Sequence, residues 1–201
     1  KRFLDMPPRA KVIDKMEKKK SHLYFVDALG VEFLAYIQEQ CYKRGLDFSA
    51  KIGYCNLPSI TSMNKEFVDE FSSCTSIKSL DELKHDGQFN YNYEKVKQPI
   101  HLVEELAIID EVISRIDSDL QQGSLEQVFI VSDHGSSRMA VIAESENKWE
   151  MSEKGQHSGR CCPKSDLDIK PDCAIEENDF YILLNYDRFK GGRKANVEVH
   201  G

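Results

Sequence analysis

The chain has 201 residues, 40% hydrophobic and 30% charged, with 27 basic against 34 acidic side chains for a net charge of −7. These are the proportions of one ordinary globular domain long enough to bury a real core. They exclude a general attraction to nucleic acid or to an anionic membrane, and no run reaches transmembrane length or reads as a signal peptide.

Residues 1–20 are mixed and basic, and Lys18, Lys19 and Lys20 read as a solvated helix end. Residues 22–27, HLYFVD, form an apolar run closed by an acid, which predicts a buried strand with Asp27 at its exit. Leu29, Phe33, Leu34, Ile37 and Cys41 then fall at helical spacing, and Gly45 closes that helix. Residues 48–54 read as a further strand, and residues 56–64 as a turn-rich segment before a helix over 65–71. Thr61 stands near the start of that helix, where free N–H groups favour phosphate; from this segment alone, Thr61 or Ser62 is more simply an N-cap. Residues 72–100 are polar and irregular, with a short helix expected at 80–84 and then a long loop.

Leu102, Leu106, Ile109, Ile113, Ile116 and Leu120 step by four and three, the pattern of a helix with one face on a sheet, and Gly123 ends it. Residues 128–137, VFIVSDHGSS, follow as a β-branched run that stops at Asp133 and His134, and Gly135 suits a sharp turn there. Repeated strand–helix–strand order predicts an α/β fold, a mainly parallel sheet with helices on both faces. Ligands of such sheets bind at the carboxyl ends of the strands, where Asp27 and Asp133 both fall. Residues 144–178 read as a loop-rich insertion, 179–186 as a strand, and 196–200 as a last strand ending in His200. Both ends look cut, so the expectation is a single domain over 1–201 taken from a longer protein.

Cys41, Cys55 and Cys74 are dispersed and read as buried, reduced thiols of a cytoplasmic protein. His157 could join Cys161, Cys162 and Cys173 in a structural zinc site, but the spacing is not that of a paired-Cys finger, and loop residues with buried thiols are the simpler expectation. Two carboxylates and two imidazoles, from Asp27, Asp133, His134 and His200, suit one or two divalent ions, zinc or manganese. A hydroxyl beside such an ion, here Thr61, becomes a nucleophile, and the ion supplies the positive field that a phosphorylated substrate needs.

The pieces VDALGVEF at 26–33, LPSITSMN at 57–64, VSDHGSSR at 131–138 and EVHG at 198–201 lie in an order that resembles the PglZ domain of the alkaline phosphatase superfamily, known from BREX phage-defence systems. The resemblance implies an alkaline phosphatase-like fold and a metal-dependent phosphomonoesterase or phosphodiesterase. In that pattern Asp27, Thr61, Asp133 and His134 surround one metal and His200 serves a second. Thr61 is preferred to Ser59 or Ser62 for its place two residues before Met63 and Asn64. The superfamily's second metal usually takes an Asp and a His from a segment before the Asp-His strand. No such Asp-x-x-x-His pair is assigned within 65–127, and the second-site candidates are His101, Glu104, Glu105 and, as a replacement ligand, His157. Glu104 and Glu105 also suit a helix start as surface acids. Asn64, Arg138 and Arg160 are candidate substrate contacts, although lone arginines are commonly surface or ion-pair residues. The implied substrates are a phosphorylated small molecule, a nucleotide or a nucleic-acid phosphodiester, and the implied partners are other defence-system subunits, with no membrane. The alternative of another class is a weakly active or inactive module of the same fold that acts as an interaction subunit.

Overall fold

The structure is a computed structural model that describes residues 5–86, 102–137, 149–150, 159–190 and 199–200. Its centre is a three-stranded parallel sheet of order β2-β1-β3, with β1 over Ser21–Val26, β2 over Cys74–Ile77 and β3 over Gln127–Val131. β1 is apolar on both faces because both are covered. On one face Leu23 and Phe25, with Phe129 and Val131 of β3, meet Ile13 of α1 (Arg9–Ile13) and Phe67 and Phe71 around the 3-10 turn Glu66–Glu70. On the other face Tyr24 and Val26 meet Leu80 of α3 (Ser79–Asp86) and Val112 and Ile116 of α4 (Leu102–Gln121). α2 (Leu34–Lys43) packs on α4 through Ile37, Cys41, Ile109 and Ile113. Each of these isoleucines contributes about 1.5–3 kcal/mol by leaving water. The α/β class, the parallel sheet and helical segments on both faces are thus observed. Gly45 (φ +69°) and Gly123 (φ +73°) close α2 and α4 in the left-handed region, as expected.

Three expectations fail. Residues 48–54 form no strand; only a parallel bridge joins Tyr54 to Pro8, outside the sheet β2-β1-β3. Within the segment expected to be irregular lies β2, whose sequence CTSI is short and polar; a sheet-edge strand is held by the backbone ladder and needs little apolar surface. Residues 65–71 form the short 3-10 turn rather than an α-helix.

The expected insertion and the strand after it also fold differently from their reading as loop and lone strand. β6 (Cys161–Pro163), β7 (Ala174–Glu177) and β8 (Phe180–Leu183) make a separate antiparallel sheet of order β6-β8-β7. A two-residue turn joins β7 to β8, with Asn178 at φ +52°, a conformation asparagine tolerates. Residues 139–143 lie outside the described part. β10 (Val199–His200) runs antiparallel to β4 (Ser136–Ser137), so the backbone of His200 lies opposite Ser136. A further pair joins β5 (Trp149–Glu150) to β9 (Phe189–Lys190) in parallel.

Candidate metal centre

β1 and β3 are in register, Phe25 opposite Val131, so two residues further on Asp27 and Asp133 emerge side by side at the carboxyl edge. The Asp27 N–H still donates to Ile77 O (3.0 Å), which holds the exit of β1 in the sheet. Ala28 then turns the chain at φ +59°, a left-handed conformation that costs a non-glycine residue about 1–2 kcal/mol. Both ends of that residue are bonded: its N–H donates to Asp133 Oδ1 (3.2 Å) and its carbonyl accepts from Lys84 Nζ (3.1 Å). Gly135 does not use the left-handed region as the sharp turn had suggested; a Cβ there would only touch Gly30 Cα at 3.4 Å.

Asp133 and His134 are buried, 1% and 4% exposed. Asp133 Oδ1 also accepts the His134 N–H (2.9 Å), while Oδ2 makes no hydrogen bond among the described residues and lies 3.3 Å from His134 Nε2. His134 Nδ1 sits 2.9 Å from Gly135 O. A carbonyl only accepts, so Nδ1 carries a hydrogen, and Nε2 is the ring atom turned toward the carboxylates, the one that a metal would take. Around Nε2 gather Asp27 Oδ1 at 3.6 Å and Thr61 Oγ1 at 3.3 Å, and Thr61 Oγ1 donates to Asp27 Oδ1 at 3.3 Å. Asp81, in the first turn of α3, completes a group with Asp27 and His134 whose ligand atoms all lie within 4.8 Å of one another.

Burial first, and then the charges of Asp133 and Asp81, push the Asp27 carboxyl up from 3.8 to about 7, although the Thr61 hydroxyl opposes this. Buried like charges resist ionising together, and a divalent cation among them removes the conflict. The buried Asp133 oxygen without a donor and the mix of hard oxygens with one imidazole fit a metal ion.

Of the sequence-based candidates, the structure brings together Asp27, Thr61, Asp133 and His134. His200 has its backbone beside Ser136, and its side chain lies outside the described residues, as do His101, Arg138 and His157 altogether. Glu104 is exposed, whereas Glu105 is fully buried, 3.7 Å from the Lys84 ammonium, so a cation already faces it. Neither acid belongs to the convergent group. Asn64 is not free to bind substrate as expected. It is fully buried; its Oδ1 accepts from Asn56 N and Arg9 Nη2, and its Nδ2 donates to the carbonyls of Asn56, Pro58 and Ile60. Arg160 donates to Leu183 O (3.0 Å) within the antiparallel sheet, which makes it a strut of that sheet. Cys161 and Cys162 are buried as expected, and Cys162 and Cys173 belong to one apolar cluster; among the described residues no metal-ligand group includes a cysteine. Cys74, expected buried, is exposed on the sheet edge.

Asp81 is missing from the sequence-based candidates although its signal was present. Residues 81–85 read Asp-Glu-Leu-Lys-His, an Asp-x-x-x-His pair in the span that was assigned none. Four residues make one turn of α3, the spacing that stacks two positions on one helix face. Lys84 and Arg9 are likewise missing; both are buried lysine or arginine side chains in polar stretches where solvated ones are the ordinary expectation. A scan against protein-family models, a search of curated proteins and a search of solved structures each find no match.

Proposed function

We propose that the chain is a metal-dependent phosphohydrolase of alkaline phosphatase-like fold, a phosphomonoesterase or phosphodiesterase with Thr61 as nucleophile. The observation that carries this reading is the meeting of Asp27, Thr61, Asp133 and His134, from three separate segments, about a buried Asp133 oxygen that has no donor. These four residues would hold one divalent ion, zinc or manganese. Asp81 lies in one group with Asp27 and His134, and the resemblance to PglZ domains would assign it, with His85 and His200, to a second ion. Such an ion supplies charge that acidifies a hydroxyl and stabilises a phosphoryl group under attack.

The chain's own residues do the rest. Thr61 Oγ1 lies 3.3 Å from both Asp27 Oδ1 and His134 Nε2, so its hydroxyl stands among the atoms that would hold the ion, and its hydrogen is donated to Asp27 Oδ1. The Gly135 carbonyl orients the imidazole through Nδ1, so that Nε2 faces Asp27, Thr61 and Asp133. The Ala28 and His134 N–H groups hold Asp133 Oδ1 and so aim Oδ2 at the same point. The ground for an inactive interaction module was an incomplete second ligand set, and the Asp81-x-x-x-His85 spacing in the sequence speaks against it. A nucleotide or nucleic-acid phosphodiester as substrate, a cytoplasmic setting and defence-system partners rest on the resemblance alone. Among the described residues, no helix is long and apolar enough to cross a membrane.

The test is hydrolysis of an aryl phosphomonoester and an aryl phosphodiester with added zinc or manganese. Turnover is expected, with a loss of about 10³-fold or more in Thr61→Ala and in Asp133→Ala. A folded chain that turns over neither ester with either metal ends the proposal.

A further inference from the structure

The Thr61 loop has little regular structure of its own, only the three-residue 3-10 turn Thr61–Met63. Asn64 knots it internally through the carbonyls of Asn56, Pro58 and Ile60. That knot makes the loop rigid within itself, but it does not decide where the loop stands relative to the end of β3. The Arg9 guanidinium spans that gap. Its Nη1 donates to Asp133 O (2.5 Å) and more weakly to Ser132 O (3.4 Å), while Nη2 donates to Asn64 Oδ1 (3.2 Å) and Glu66 Oε1 (2.8 Å). The side chain is 10% exposed and lies over the Phe67 ring, 4.8 Å from its centroid. One planar fork therefore holds the strand end that carries Asp133 and His134 with one prong and the knot of the Thr61 loop with the other.

We infer that Arg9 is a positioning residue that sets Thr61 against the Asp133–His134 strand end. The inference deepens the hydrolase reading and rests on it for the word nucleophile, while the clamp itself rests on the hydrogen bonds. The rival role is packing, a cation on Phe67 paired with Glu66. Lysine separates the two. It keeps the charge and much of the apolar stem, but it is a point charge and cannot reach two divergent acceptors with fixed geometry.

The experiment measures amide hydrogen exchange in the full chain for wild type, Arg9→Lys and Arg9→Gln, together with manganese affinity and steady-state kinetics. Both substitutions should speed exchange across residues 57–64 about tenfold, the effect expected from losing one charge-assisted bond in a locally opening segment. α4 should keep its protection, manganese affinity should fall less than in Asp133→Asn, and kcat should drop with KM unchanged. If Arg9→Gln fails to fold, Arg9→Lys decides. Wild-type exchange in 57–64, or a rise that α4 shares equally, overturns the inference. A wild-type chain without turnover would sink the hydrolase reading, and the exchange rates alone would then decide whether the clamp exists.

Discussion

The carboxyl edge of the parallel sheet and the small antiparallel sheet treat buried chemistry in opposite ways. At the first, Asp27, Asp81 and Asp133 crowd one imidazole, and an Asp133 oxygen is buried without a donor. At the second, Cys162, Ala174, Leu183 and Phe189 form an apolar cluster, and Arg160 is spent on a carbonyl. Burial, with minor help from Cys161 and Asp166, pushes the Cys162 thiol up to about 12, so it stays a neutral hydrophobe. Burial is harmless where the group stays neutral. Where like charges are buried together, a proton or a cation relieves them, and the ion proposed above would do so. The second region is built for packing.

The largest effect should come from the ion pair behind the centre. Lys84→Met leaves the fully buried Glu105 without the ammonium that faces it, at a cost of about 3–5 kcal/mol in denaturant unfolding. Adding Glu105→Leu should recover most of that, because no charge is then left buried. A single substitution that costs nothing would break the view of this region as electrostatically poised. Next, Leu183→Ala should cost about 2–5 kcal/mol by opening a cavity in the small sheet, with manganese affinity unchanged by calorimetry. Loss of affinity there would erase the contrast between the regions.

Asp133→Asn keeps an acceptor for the Ala28 and His134 N–H groups but removes the charge. It should lower zinc or manganese affinity by about 100-fold while the metal-free chain unfolds no more easily than wild type. The last test is pH dependence. Asp27 titrates at about 7 in the folded chain against 3.8 for an ordinary carboxyl, so the folded state holds this proton more tightly. The metal-free chain should therefore lose stability as pH rises from about 4 to about 7, and metal affinity should rise over the same window as the proton leaves. Denaturant midpoints across that window, with Asp27→Asn flattening the slope, check the sign; a rising profile for the metal-free wild type would contradict it.

Some of this was legible in residue order. β1, β3, α2 and α4 follow from apolar periodicity, and the acids at the two strand exits follow from where the apolar runs stop. β2 was hidden because a polar edge strand is recruited by the β1 backbone. The β7–β8 hairpin carried a signal in Asn178-Asp179 that its polar surroundings masked. Asn64 looked like a substrate contact because a polar side chain near a nucleophile reads the same whether it faces a ligand or ties a loop.

By itself, then, the sequence indicated the α/β class, the main elements and the strand-end residues Asp27, Asp133 and His134, since periodicity and strand ends are local properties; Thr61 joined them only through the resemblance. Tertiary structure decided the rest. The register of Phe25 with Val131 puts Asp27 beside Asp133, Asp81 turns out to share the centre, and Lys84 and Arg9 are charges sealed inside. Coulomb forces and hydrogen bonds depend on separation in space, and for residues as far apart in sequence as Arg9 and Asp133 only the folded chain brings that separation within reach.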